Sequence, residues 1–157
     1  MKIIKGHVDL DSLHLKELPE ILSTVDKIDG YLSVSYNVLV SLKNCPKEVG
    51  QSAYFSYNPK IKNLLGGPSI VGKNYGVTSC PELISLQGIP EIIPGNLNLT
   101  SNYKLVDFTY FPKKIGGNLE VGHYIGGNRR FPREFTEEFF RSICDIGGKI
   151  EIYRWDF

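Results

Sequence analysis

The residues of this 157-residue chain with chemistry to offer are three histidines, three cysteines, four Gly-Gly pairs, an arginine pair and nine tyrosines. His7, His14 and His123 lie far apart, and none has a ligand partner at helical spacing, as a metal centre would need. Cys45, Cys80 and Cys144 are separated by 35 and 64 residues, a spacing of neither a zinc knuckle nor a redox pair. They read as reduced, buried side chains. The Gly-Gly pairs beginning at residues 66, 116, 126 and 147 lack both the Lys-Ser/Thr of a phosphate loop and the G-x-G-x-x-G spacing. The expectation is therefore no catalytic residue, no metal and no cofactor.

What remains is the chemistry of recognition. Tyr31, Ser33, Tyr36, Tyr54, Tyr57, Asn74, Asn96, Asn98, Glu120 and His123 are expected on one exposed face, with Arg129 and Arg130 as a second candidate beside it. Tyrosine supplies rigid contact area at low entropic cost, and Ser and Asn supply adaptable hydrogen bonds. Clustered exposed aromatics mark interaction patches. The same Ser, Thr and Asn would also serve as ladders that merely solvate a sheet.

A repeat must position these residues. Pro46, Pro68, Pro90 and Pro112 are each 22 residues apart. Four residues before each stands Leu42, Leu64, Leu86 or Phe108, and three after each Val49, Val71, Ile93 or Ile115. A turn former follows, then an alternating segment: Ala53-Tyr54-Phe55, Tyr75-Gly76-Val77, Leu97-Asn98-Leu99, Leu119-Glu120-Val121. Alternation of period two marks a strand with one buried face. Asn37, Asn58, Cys80 and Asn102 each stand three residues beyond a strand. One such unit cannot bury its apolar stripe alone, but stacked units bury one another's.

The expected fold is a mostly β solenoid of about seven rungs with a 22-residue period, its parallel sheet on the concave face. It is one domain, with an N-terminal cap over 1–14, repeats over 15–131, and a C-terminal helix and capping strand over 132–157. Phe135, Phe139, Phe140 and Ile143 form a helical stripe, with Pro132 suited to its first turn and Gly147 to its stop.

The run Leu32-x-Val34-x-x-Asn37-x-Leu39 resembles the leucine-rich-repeat core, as do Ala53/Phe55/Asn58, Tyr75/Val77/Cys80 and Leu97/Leu99/Asn102. The resemblance spans roughly residues 8–125. It implies that the Asn or Cys side chain bonds backbone groups of adjacent coils. The Pro-x-x-Val-Gly style resembles short leucine-rich-repeat-like proteins of bacteria and phages. Another β-solenoid is the alternative fold.

Composition narrows the function. Lys and Arg number 18 against 17 Asp and Glu, a formal charge of +1, and no basic-aromatic stripe is present. Nucleic acid is not the expected partner. No run reaches the ~20 apolar residues that span a bilayer, and the N-terminus lacks a signal-peptide pattern. A cytoplasmic protein is expected. The reading is a non-enzymatic protein-binding module, and the resemblance implies a phage-encoded inhibitor that masks a host defence or regulatory protein. Two alternatives stay open: a rim-sited ligand-binding protein or hydrolase near His123 and Arg129, and a self-associating structural subunit.

Overall fold

The computed structural model describes residues 1–124 and 130–154. Short paired strands alternate along the chain: β1 (Ile3–Ile4), β2 (Val8–Asp9), β3 (Lys27–Ile28), β4 (Leu32–Ser33), β5 (Glu48–Val49), β6 (Ala53–Tyr54), β7 (Ile70–Val71), β8 (Tyr75–Gly76), β9 (Ile92–Ile93), β10 (Leu97–Asn98), β11 (Lys114–Ile115) and β12 (Leu119–Gly122). Helix α1 (Glu137–Ile143) follows, then β13 (Asp145–Ile146) and β14 (Ile150–Tyr153). The even-numbered strands form one parallel sheet of seven strands. The odd-numbered strands form a second face, divided into sheets of four and three strands.

The chain is thus a parallel β-solenoid. Its register repeats every 22 residues from Ala53 through Tyr75 and Leu97 to Leu119. The turn from Val8 to Leu32 takes 24 residues, because a 3-10 segment, Glu20–Thr24, is accommodated there. The step from Leu119 to Ile150 takes 31 and runs through α1, so it is no regular coil. The coil consequently makes about five turns, fewer than the seven expected from counting strands.

The second face corrects the sequence reading in another way. Val49, Val71, Ile93 and Ile115 are strand residues in their own right, stacked in register beneath a three-residue corner. Each corner opens with a backbone N–H that donates to the coil before: Gly50 to Ile28, Gly72 to Val49, Gly116 to Ile93. Pro94 holds the corresponding place in the β9 coil and has no N–H to give. The second face breaks there, between β7 and β9, although the two strands remain neighbours.

Alternate residues of the seven-stranded sheet point inward. Leu32, Ala53, Tyr75, Leu97 and Leu119 are buried, and so are Phe55, Val77, Leu99 and Val121 two positions on. Leu42, Leu64 and Leu86 close the core on a third side, and Phe108 continues it. Phe108 meets Phe135 at 4.8 Å and Phe140 at 5.2 Å between ring centroids, so the helical segment seals the last regular coil. The helix begins at Glu137, not near Pro132 as expected, because Thr136 caps it by accepting from the Phe139 N–H at 3.1 Å.

Tyr75 is fully buried, and its hydroxyl has no hydrogen-bond partner among the described residues. A stranded hydroxyl costs about 1–3 kcal/mol. Tyr75→Phe is therefore expected to raise stability by about 1 kcal/mol, read as a higher urea midpoint at unchanged slope.

Candidate functional site

The polar residues expected on the sheet face divide into those that hold the coils together and those that stand free of that task. In the corners that end in Ser52, Asn74, Asn96 and Asn118, the third residue caps the next coil. The Oδ1 of Asn74 accepts from the Asn96 N–H at 2.8 Å, that of Asn96 from Asn118, and that of Asn118 from Lys149. Below them Ser52 Oγ accepts from Asn74 at 3.1 Å, and His7 Nδ1 from Tyr31 at 2.9 Å. Asn74 and Asn96, expected as contact residues, therefore spend their carbonyl oxygens on register. Ser33 is buried, its hydroxyl donating to Asp11 Oδ1 at 2.7 Å.

The residue before each capped N–H obeys a steric rule. A Cβ on Gly95 would stand 2.2 Å from Asn74 Oδ1, one on Gly117 2.2 Å from Asn96 Oδ1, and one on Gly148 2.2 Å from Asn118 Oδ1. Gly30 meets His7 Nδ1 in the same way. Above the short Ser52, the corresponding residue is Lys73, which has a side chain. Glycine appears where the coil below carries a long acceptor.

The interior turn holds the ladder that the resemblance implies. Buried Asn58 donates through Nδ2 to the carbonyls of Val34, Phe55 and Ser56, and accepts from the Leu39 N–H. Asn37 and Asn102 bond likewise across coils, and Cys80 Sγ replaces them with weak donation to Phe55 and Thr78.

The tyrosines are different. Tyr36 and Tyr57, one coil apart, are 55% and 45% exposed, and their rings stack at 4.4 Å and 7°. Both have φ of 56°, a left-handed conformation that bulky residues rarely adopt. The same position holds Ser12, Ser79 and Ser101, also at positive φ. Tyr54 lies half-buried on the sheet, its ring so close over Gly76 that a Cβ there would stand 3.0 Å from Cδ1. Tyr31 stacks on His7 at 4.1 Å. Partial desolvation, then the Tyr57 hydroxyl and the Asp11 carboxylate, raise the Tyr36 phenol above its ordinary pKa, so it is a neutral donor.

At the far end of the face, Glu120 accepts from Asn98 Nδ2 at 2.9 Å and from the Tyr153 hydroxyl at 3.1 Å. Tyr153 also donates to Glu151, at 2.7 Å. Bonding to Glu151, then desolvation and Glu120, push that phenol well above its ordinary range. His123 is buried, not exposed as expected, with its ring 4.8 Å from Tyr103 and 5.4 Å from Phe131. Gly122, at φ of 107°, turns the chain there and carries His123 under Phe131. Arg130 is exposed, and Arg129 lies outside the described residues.

The sequence reading passed over Asp9, Asp11, Glu151 and Tyr153. Their places at outward positions in or just past the first and last strands of the seven-stranded sheet are the signal that could have found them. Burial pushes the Cys45 thiol up to about 12, and those of Cys80 and Cys144 up to about 11. All three are neutral thiols at pH 7, not nucleophilic thiolates. Among the described residues no helix is long and apolar enough to cross a membrane. No protein-family model, no curated protein and no solved structure matches this chain.

Proposed function

We propose that this protein is a non-enzymatic protein-binding module that docks its partner on the outer face of the seven-stranded sheet. The observation that carries the reading is the Tyr36–Tyr57 stack, exposed on left-handed backbone where neighbouring coils use serine. A bulky aromatic there costs about 1 kcal/mol or more, and no core packing of these exposed rings repays it. A preformed face loses little entropy on docking, so a modest patch suffices. The finer form of the reading is a leucine-rich-repeat-like inhibitor of bacterial or phage type, acting in the cytoplasm by masking a host protein.

A ligand site or hydrolase near His123 and Arg129 draws no support from the geometry, since the imidazole is buried among aromatic rings.

The test exploits the chain's own alternative. Because Ser79 and Ser101 occupy the same left-handed position, Tyr36→Ser/Tyr57→Ser should cost no more than about 1 kcal/mol of stability. In affinity capture from cell lysate with quantitative mass spectrometry, this variant should lose at least about tenfold of a specifically bound protein. A control, Ile70→Ser/Ile92→Ser on the second face, should retain it. Equal capture by both variants would overturn the reading.

A further inference from the structure

The charge of the molecule is segregated. The chain as a whole carries +1. Yet the outer face of the seven-stranded sheet carries four carboxylates, Asp9, Glu120 and Glu151 within its strands and Asp11 just past β2, against one cation, Lys149, just before β14. Four carboxylates on other parts of the coil pair with lysines of neighbouring coils. Asp29 pairs with Lys5, Glu48 with Lys27, Glu82 with Lys104 and Glu91 with Lys113. None of the four on the face joins an ion pair among the described residues. They accept only from neutral donors: Asp9 from the Asp11 N–H, Asp11 from Ser33 and Ser35, Glu120 from Asn98 and Tyr153, Glu151 from Tyr153.

These carboxylates stand at the two ends of the sheet, with the tyrosines between them. From the strand of Asp9 to that of Glu120 is five steps of about 4.8 Å, so the ends lie about 24 Å apart. About seven residues of extended chain span that distance. Tyr36 and Tyr57 cover one ring face each by their own stacking, and the column continues with Ser12 below and Ser79 above. The other face of each ring has no aromatic neighbour in its column. Aromatic faces attract cations, guanidinium above all. Carboxylates pair with the same group bidentately. An anionic polymer would meet four like charges.

Resting on the protein-binding reading above, we infer that this face receives a cationic, arginine-bearing protein segment, laid across the stack so that guanidinium groups meet the Tyr36, Tyr57 and Tyr54 rings and pair with the carboxylates at either end. Arginine fits better than lysine, because a planar guanidinium uses ring face and carboxylate together.

The experiment is a titration of the isotope-labelled full chain, followed by amide chemical shifts, with nona-arginine, nona-lysine, nona-glutamate and a single-stranded oligonucleotide. Nona-arginine is expected to shift the amides of Tyr54, Tyr57 and Glu120 and to bind more tightly than nona-lysine. Its affinity should fall about tenfold between about 50 and about 300 mM salt. Tyr36→Ser/Tyr57→Ser should weaken it about tenfold, and Glu120→Gln/Glu151→Gln by a similar factor, with melting temperatures confirming that both variants are folded. Tighter binding of nona-glutamate or the oligonucleotide to this face would overturn the inference. So would nona-arginine shifts confined to Glu134, Glu137 and Glu138, or indifference to the face variants. If nona-arginine leaves the face untouched while the tyrosine variant still loses its captured protein, the cationic assignment falls and the binding surface stands. If neither assay responds to the tyrosines, both fall.

Discussion

Replacing Asn58 with alanine is expected to cost about 3–5 kcal/mol, a large share of the 5–15 kcal/mol that holds a typical domain folded. The side chain is wholly buried, and its amide serves both its own coil and the one before. Removing it strands the Val34 carbonyl and the Leu39 N–H inside the stack and leaves the Phe55 carbonyl only the weak Cys80 thiol. Each orphaned group costs about 1–3 kcal/mol. Asn58→Asp should be at least as damaging, because a carboxylate would face carbonyl oxygens in place of the amide donor. Asn58→Cys should be the mildest, since Cys80 does this work one coil later by donating to Phe55 and Thr78. Denaturant melts of the three variants check the order. A loss below about 1 kcal/mol for Asn58→Ala would show that the ladder is dispensable.

The second large effect concerns a pair. Gly95→Ala places a methyl group 2.2 Å from Asn74 Oδ1 and 2.8 Å from the Lys73 carbonyl. The coils must part or the cap must leave, at about 3 kcal/mol. Asn74→Ser shortens the acceptor to the length of Ser52, above which the chain itself carries Lys73. The double variant should therefore be more stable than the sum of the single effects by about 1–2 kcal/mol, the backbone contact accounting for what is not recovered. Strict additivity in the double-mutant cycle would mean that the cap and the glycine are unrelated.

The parts of this structure that could be read from the sequence are those with a period. Leu42, Leu64, Leu86 and the proline column announce a stack through their spacing alone, and Asn58, Cys80 and Asn102 announce the interior ladder. The second face escaped because each of its strands offers one inward apolar residue before a turn, whereas the other face offers two at alternate positions, as Ala53 and Phe55 do. Val49 and Ile93 then look like isolated apolar residues before a turn. The helix start was misplaced because a proline that could open a helix was weighed above Thr136, which does open it. The site was harder. An asparagine that caps a backbone N–H and one that awaits a partner are the same letter. Only the glycine one residue before the cap of the following coil separates them, as Gly95 does for Asn74. His123 was misjudged because its burial depends on ring contacts with Tyr103 and Phe131, which the alternation of its strand does not show. Tyr36 and Tyr57 were legible as exposed aromatics, but their left-handed backbone and mutual stacking exist only in three dimensions.

All of this depends on coils that stack in a fixed register, since the face, its tyrosines and its carboxylates are aligned by nothing else. The most direct test is a nuclear Overhauser spectrum of the intact, isotope-labelled chain. Backbone contacts should join residues one coil apart, linking Ala53 with Tyr75, Tyr75 with Leu97, and Leu97 with Leu119. Contacts joining these residues to others at unrelated separations, or none beyond local neighbours, would contradict the stack and the binding face built on it.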